Sequence, residues 1–231
     1  SSEKYCLIFW DHGSGWKSED NCFTKHVCDD ETDMDYLSLE EIRYALSQIT
    51  TNLGKKIELV GFDACLMGMS EVAYEIKNYC KFMTASEQTE PVSGWNYVDS
   101  LIDLKNFPQA NGEDLGNFFV NSYYGYDITL STISLNFASF ISKLNILADS
   151  LKDESIRPYI VTILEKIETF QDIDNIDLYD FAFLITSLIE DVSIKQKAFD
   201  LMDEISNIVT SEKHDSLNEN ANGLAIYFPY H

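Results

Sequence analysis

Two stretches decide the fold: Tyr5-Cys-Leu-Ile-Phe-Trp10-Asp-His12-Gly-Ser-Gly-Trp16 and Ile57-Glu-Leu-Val-Gly-Phe-Asp63-Ala-Cys65-Leu-Met-Gly68. Each opens with an apolar run of strand length, which suits a strand covered on both faces, and each then breaks into polar and glycine-rich sequence. The expectation is two buried parallel strands. Between them lie a polar loop, about residues 11–37, and a helix opened by Ser38-Leu-Glu-Glu41, whose serine and glutamate suit a reciprocal capping box. After Asp63, apolar residues at Leu66, Met69, Val72, Ala73, Ile76 and Tyr79 follow helical spacing.

A third strand is expected over Lys81–Ser86, and the Pro- and Gly-containing stretch from Ser86 to Trp95 is expected to be a loop leaving the same end of the sheet. A helix over Glu113–Tyr126 and a half-buried strand over Leu130–Asn136 follow from their periodicities. Helical spacing then runs from Phe137 to Val209 and indicates at least four helices. Gly223–Phe228 is expected as a last strand that rejoins the sheet. The class is α/β: a mostly parallel sheet flanked by helices, with a helical excursion at about 137–211. No Gly- or Pro-rich linker divides the chain, so residues 1–231 are expected to form one domain.

Composition narrows the partners. Of 231 residues, 16 are Lys or Arg and 39 Asp or Glu, for a formal charge of −23. Such a field repels nucleic-acid backbones and anionic membranes and draws basic ligands. No apolar run approaches the roughly 18 residues of a membrane span. Residues 1–4 pass straight into the first strand with no basic and apolar leader, so no signal peptide is expected in this chain. Five cysteines, an odd number, argue against a disulfide scaffold.

The chemistry is expected where the strands end, because ligands of open α/β sheets bind beyond the carboxyl ends of the strands. Adjacent parallel strands would deliver His12 and Cys65 to one crevice. Cys65 would stand at the start of a helix, where free amides and the dipole favour the thiolate. Gly13 lacks a side chain beside the histidine, so its amide and that of Cys65 could form an oxyanion hole. Taken singly, a histidine after a strand is often structural and a cysteine is often a small core hydrophobe.

These residues, with Ser86-Glu-Gln-Thr-Glu-Pro91, Gly94-Trp95, Asp29-Asp-Glu31, Asp177-Leu-Tyr-Asp-Phe181 and Gly223-Leu-Ala-Ile-Tyr-Phe-Pro229, resemble the clostripain family of cysteine peptidases. The resemblance covers nearly the whole chain and implies a caspase-like fold, a His-Cys dyad at His12 and Cys65, and cleavage after Arg or Lys. It also implicates Asp63, two residues before the nucleophile, in basic selectivity; Glu87 and Glu90 could line the pocket rim. Members usually carry a further strand and helix ahead of the histidine strand, so another chain or N-terminal fragment could complete the sheet. Some mature by cutting themselves after the histidine, where Lys25 and then Lys17 are the candidates. The family also implies secretion, or a cell-surface or periplasmic site. The rival reading is an inactive relative that binds basic peptides without cutting them.

Other clusters read more plainly. Cys22, His26 and Cys28 match no standard zinc spacing. Asp29, Glu31, Asp33, Asp35 and Glu40 fall at the offsets of a calcium loop, but Met34 replaces its glycine. No cofactor is required by the sequence and no metal ligand is assigned; calcium, which some relatives need, is left open. Asp177 suits a helix N-cap, while Cys6 and Cys80 suit packing.

Overall fold

The computed structural model describes residues 3–16, 26–30 and 32–229. In chain order, β1 (Cys6–Trp10) is followed by β2 (His26–Asp30), β3 (Asp35–Ser38), α1 (Leu39–Leu53), β4 (Ile57–Asp63), α2 (Ser70–Ile76) and β5 (Cys80–Ala85). Next come α3 (Tyr97–Asn106), α4 (Gly112–Ser122), β6 (Thr129–Ser134), α5 (Ala138–Ser150), a 3-10 turn (Glu154–Ile156) and α6 (Arg157–Leu164). The chain closes with β7 (Asn175–Asp177), α7 (Leu178–Leu188), α8 (Val192–Ile208), β8 (Val209–His214) and β9 (Ala225–Tyr227).

The central sheet has the order β1-β4-β5-β6-β8. The β1–β4 and β4–β5 pairs are parallel, and the β5–β6 and β6–β8 pairs antiparallel, so four of the five strands point one way. This is the mostly parallel, helix-flanked α/β architecture expected of the sequence. Along β4 the side chains alternate between two cores. Val60 and Phe62 join the large core built with α1, α2, α5, α7 and α8, while Leu59 joins the smaller one around Trp95, Phe119 and Tyr123. Gly61 lies on this second side because a Cβ there would sit 2.9 Å from the Trp95 ring. That alternation also puts Asp63 on the Trp95 side.

The Ser38 capping box forms as expected: Glu41 N donates to Ser38 Oγ at 3.3 Å and Ser38 N donates to Glu41 Oε2 at 2.9 Å. Gly54 ends α1 in the left-handed region, at φ 67°.

Four expectations need correction. The polar loop at 11–37 contains the antiparallel β2–β3 hairpin. The helix after Asp63 begins only at Ser70. The strand Leu130–Asn136 is buried on both faces over Thr129–Ile133 rather than half-buried, because its hydroxyls are satisfied internally. Thr132 pairs with Thr84 at 3.0 Å, and Ser131 donates to the Gly223 carbonyl at 2.6 Å. The last strand does not rejoin the sheet: β9 pairs with β7 in a separate ribbon, and the place beside β6 is taken by β8, which runs on directly from α8.

Candidate active site

The two decisive stretches meet at the carboxyl ends of β1 and β4. Register pairs Trp10 with Asp63, so the next residues of each strand, Asp11-His12 and Ala64-Cys65, leave side by side. Asp11 N donates to the Asp63 carbonyl at 3.3 Å. Asp11 has φ 135° and Leu66 φ 61°, conformations rare for side-chain-bearing residues. Such strain persists where the surroundings over-determine the backbone, and it collects at functional sites.

The hairpin holds the histidine strand from its other side. Cys28 N donates to the His12 carbonyl at 3.0 Å and Ser14 N to the His26 carbonyl at 3.2 Å. Gly13 bridges Val27 between these two bonds, so the ladder leaves Gly13's own amide outside it. Glycine is required at 13: a Cβ would lie 2.5 Å from the Cys65 carbonyl oxygen and 3.2 Å from the Cys65 nitrogen. The backbones carrying the two candidate reactive groups are therefore in direct contact.

Cys65 does not head a helix. It sits in a turn stitched to the loop after β5, through Leu66 N to the Gln88 carbonyl at 3.1 Å and Gly68 N to the Ser86 carbonyl at 2.6 Å. Those bonds consume amides that a helix start would have left free. Cys65 Sγ instead accepts from the Glu90 amide at 3.2 Å, one N–H aimed at the sulfur where a thiolate would carry its charge.

His12, Cys65, Asp63 and Glu90 line one cavity of about 250 Å³, with Trp10, Asp11, Pro91, Val92 and Gly94 around them. His12 is exposed and Cys65 half-buried. Asp63, only 3% exposed, accepts from the Tyr97 hydroxyl at 2.7 Å and the Trp95 amide at 3.3 Å. Glu90 Oε1 accepts from Trp95 Nε1 at 3.1 Å, but Oε2 is buried and no donor among the described residues reaches it. Burial, with the Asp63 carboxylate beside it, holds the Glu90 carboxyl well above the usual carboxylate range. Tyr97 is pushed up by burial and by the same acids. Tyr123, whose hydroxyl is buried without a partner among the described residues, lies close enough to feel Glu90, Asp63 and Cys65.

Glu87 is not at the rim. It is buried beneath the loop, accepts from Gly223 N at 2.9 Å, and is pushed well above the usual range by burial and by Asp177. Asp177 caps α7 through Asp180 N at 2.6 Å, as expected, and also accepts from Asn222 N at 2.7 Å. Glu87 thus ties the loop to the strand-ribbon side of the molecule. Lys17, Cys22, Lys25 and Glu31 lie outside the described residues. His26 contacts Asp29 at 3.1 Å and Ser14 at 3.2 Å, and Met34 takes the turn at φ 57° in the β2–β3 connection. Among the described residues, no three His, Cys, Asp or Glu side chains converge as a metal site. Cys80 is buried as expected, but Cys6 is exposed at the edge strand β1 rather than packed in the core.

The sequence reading gave no role to Trp95 beyond its place in a motif and none to Tyr97, the two residues that donate to the buried Asp63 and Glu90 carboxyls. The signal available was the aromatic pair in Gly94-Trp95-Asn96-Tyr97, directly after the loop.

Comparison with known proteins identifies the family and the fold. The model of the clostripain family, peptidase C11, matches residues 1–227. Clostripain of Hathewaya histolytica is 34% identical over 79 residues, which is 33% of this chain and 15% of that protein. A secreted C11 cysteine protease from Bacteroides thetaiotaomicron, solved in complex with an irreversible peptide inhibitor, superposes with a TM-score of 0.67 at 17% identity, covering 100% of this chain and 67% of that one. An inactive zymogen C11 protease from Parabacteroides distasonis gives 0.63 at 17%, covering 99% and 65%. The chain thus spans about two thirds of these solved relatives, and the fold they share is the one described above. By its sequence match over nearly its whole length, the chain belongs to the clostripain family.

Proposed function

We propose that the chain is the peptidase domain of a cysteine endopeptidase that cuts after Arg or Lys. One observation carries the reading: two buried carboxyls, Asp63 and Glu90, lie side by side in the cavity that also holds Cys65 and His12, and no Lys or Arg among the described residues lines that cavity. Two acids held together in a buried site resist ionising both, and a guanidinium or ammonium entering the cavity would let both ionise and pair with it at once. Family membership supports the peptidase chemistry.

In this mechanism the Cys65 thiolate attacks the carbonyl carbon of the scissile bond, forming a C–S bond and an oxyanion that accepts from the Gly13 and Cys65 amides. The C–N bond breaks as His12 gives its proton to the leaving amine. His12 then takes a proton from water, whose oxygen attacks the acyl carbon; the C–S bond breaks and the thiolate is restored. Asp63 and Glu90 hold the basic side chain and so fix which carbonyl faces the sulfur.

The natural substrates are peptides or proteins with an accessible basic residue. The secreted character of the Bacteroides relative supports a secreted or cell-surface site, and no helix among the described residues is long and apolar enough to cross a membrane. The zymogen relative supports maturation by cleavage, with Lys25 and then Lys17 as the sites. β1 is an edge strand, a place where a further strand from another segment or chain could pair. The test is turnover of reporter peptides ending in Lys, Arg, Gln or Leu by the processed protein and its Cys65→Ala variant. Cysteine-dependent turnover confined to Lys and Arg is expected. Tight binding of basic peptides without cleavage would replace this reading with that of a binding module.

A further inference from the structure

A second cavity of about 260 Å³ adjoins the catalytic one, lined by Ser93, Gly94, Trp95, Tyr97, Val98 and Tyr124. Gly94 borders both cavities, and Tyr97 joins them: its side chain helps line the second while its hydroxyl reaches Asp63 in the first at 2.7 Å. The hydroxyl is already committed there, so Tyr97 offers the second cavity an apolar ring. Asn96 is likewise occupied, accepting from Asp99 N at 3.2 Å and donating to Asp99 Oδ2 at 2.7 Å as it caps α3. No charged side chain lines the cavity. Its outer wall is made by Val98 and Tyr124, 70% and 72% exposed, and the fully exposed Val92 stands on the catalytic side. Large apolar side chains left open to water around a concavity beside a reactive cysteine call for a ligand of matching chemistry.

We propose that this second cavity is a substrate subsite, taking an apolar or aromatic side chain two positions from the basic residue on the same peptide. The assignment rests on the basic residue occupying the catalytic cavity. In an extended peptide, side chains two residues apart lie on one face, about 6.7 Å from each other. Gly94 lines both cavities, and Tyr97 lines the second while bonding Asp63 in the first, so the two are neighbours that one extended strand can span. The negative first cavity and the uncharged second one together would select a motif, an apolar residue spaced by one from Lys or Arg. Specificity beyond the basic residue would then reside in Tyr124 and Val98.

The experiment uses peptides with Lys before the reporter and Leu, Phe, Gly or Asp two positions upstream, cut by the full processed protein and by Tyr124→Ser and Val98→Ser. Both positions are surface side chains, and unchanged melting temperatures confirm folded variants. Wild-type kcat/KM is expected to favour Phe and Leu over Gly and Asp by about tenfold, the scale of discrimination by one apolar pocket. Tyr124→Ser should erase most of that preference. A wild-type enzyme indifferent to the upstream residue, or a preference unmoved in both variants, would overturn the subsite. Cleavage of matched peptides carrying Gln in place of Lys would overturn the basic-pocket reading and with it the spaced motif, whereas a strict need for Lys or Arg with no upstream preference would overturn the subsite alone.

Discussion

Replacing Gly13 by alanine tests how tightly the two strand ends must abut. The added methyl would lie 2.5 Å from the Cys65 carbonyl oxygen, 3.1 Å from the Ala64 Cβ and 3.2 Å from the Cys65 nitrogen. Real Cβ contacts essentially never fall below 3.0 Å, so the His12 and Cys65 backbones must part by about half an ångström or more. All three obstacles are backbone or short side-chain atoms and cannot swing aside. Overpacking of this kind costs roughly 1–3 kcal/mol, which for a chain of this size lowers Tm by about 2–12 °C. Since a 1 Å misplacement of reacting groups can cost ~10²-fold in rate, kcat/KM on a Lys reporter should fall at least about tenfold. Gly54→Ala is the control: nothing lies within 4 Å of its Cβ, so it carries only the strain of φ 67°, with activity unchanged. Gly13→Ala with full activity and an unshifted melt would refute the close approach of the two strand ends.

Protonation states give further tests. Because the Glu90 carboxyl is raised by burial and by Asp63, it is neutral in the empty cavity to higher pH than an ordinary glutamate, and a basic side chain binds best once it ionises. KM for Lys peptides should therefore fall as pH rises, and Glu90→Gln should flatten that dependence while raising KM; a pH-independent KM in the wild type would count against it. The Glu87–Asp177 pair is also raised, Asp177 to about 7. The folded protein holds protons there that the unfolded chain releases, so the stability it contributes is complete below about pH 4 and lost as pH rises through 7. Thermal melts should show Tm falling across that window, less steeply in Glu87→Gln; parallel curves would show that this pair does not set the dependence. Ser14, His26 and Asp29 form a chain of contacts at 3.2 and 3.1 Å that pins β2 against the His12 loop. His26→Ala should lower kcat more than it raises KM, with partial recovery in His26→Asn, whereas an unchanged kcat would show the hairpin to be inert to the chemistry.

Much of this site was legible because strong local rules apply to it. Two apolar runs ending in Asp-His-Gly and Asp-Ala-Cys need only parallel pairing to meet, and the Ser38–Glu41 box and the Asp177 cap depend on residues three apart. Helix α3 was not legible: only Ser100 is buried in it, while Val98, Leu101 and Ile102 face solvent, so no core-facing stripe exists to detect. The β2–β3 hairpin is short and polar, and its turn uses left-handed Met34 where a sequence reader looks for glycine. Glu87 and Glu90 are three residues apart in irregular backbone, where no periodicity says which way a side chain turns. One runs under the loop to Gly223 and the other into the cavity. Cys65 was expected to owe its reactivity to a helix dipole; the neighbouring loop supplies a single amide instead.

The central claim is that one sulfur, set against one imidazole, does the work. Its most direct test is mass spectrometry of the processed protein after treatment with a Lys- or Arg-bearing acyloxymethyl ketone, alongside a His12→Ala variant. The prediction is a single adduct on Cys65, slowed by excess basic peptide and strongly reduced without His12. An adduct on Cys6, Cys28 or Cys80 instead, or equal labelling of Cys65 with and without His12, would contradict it.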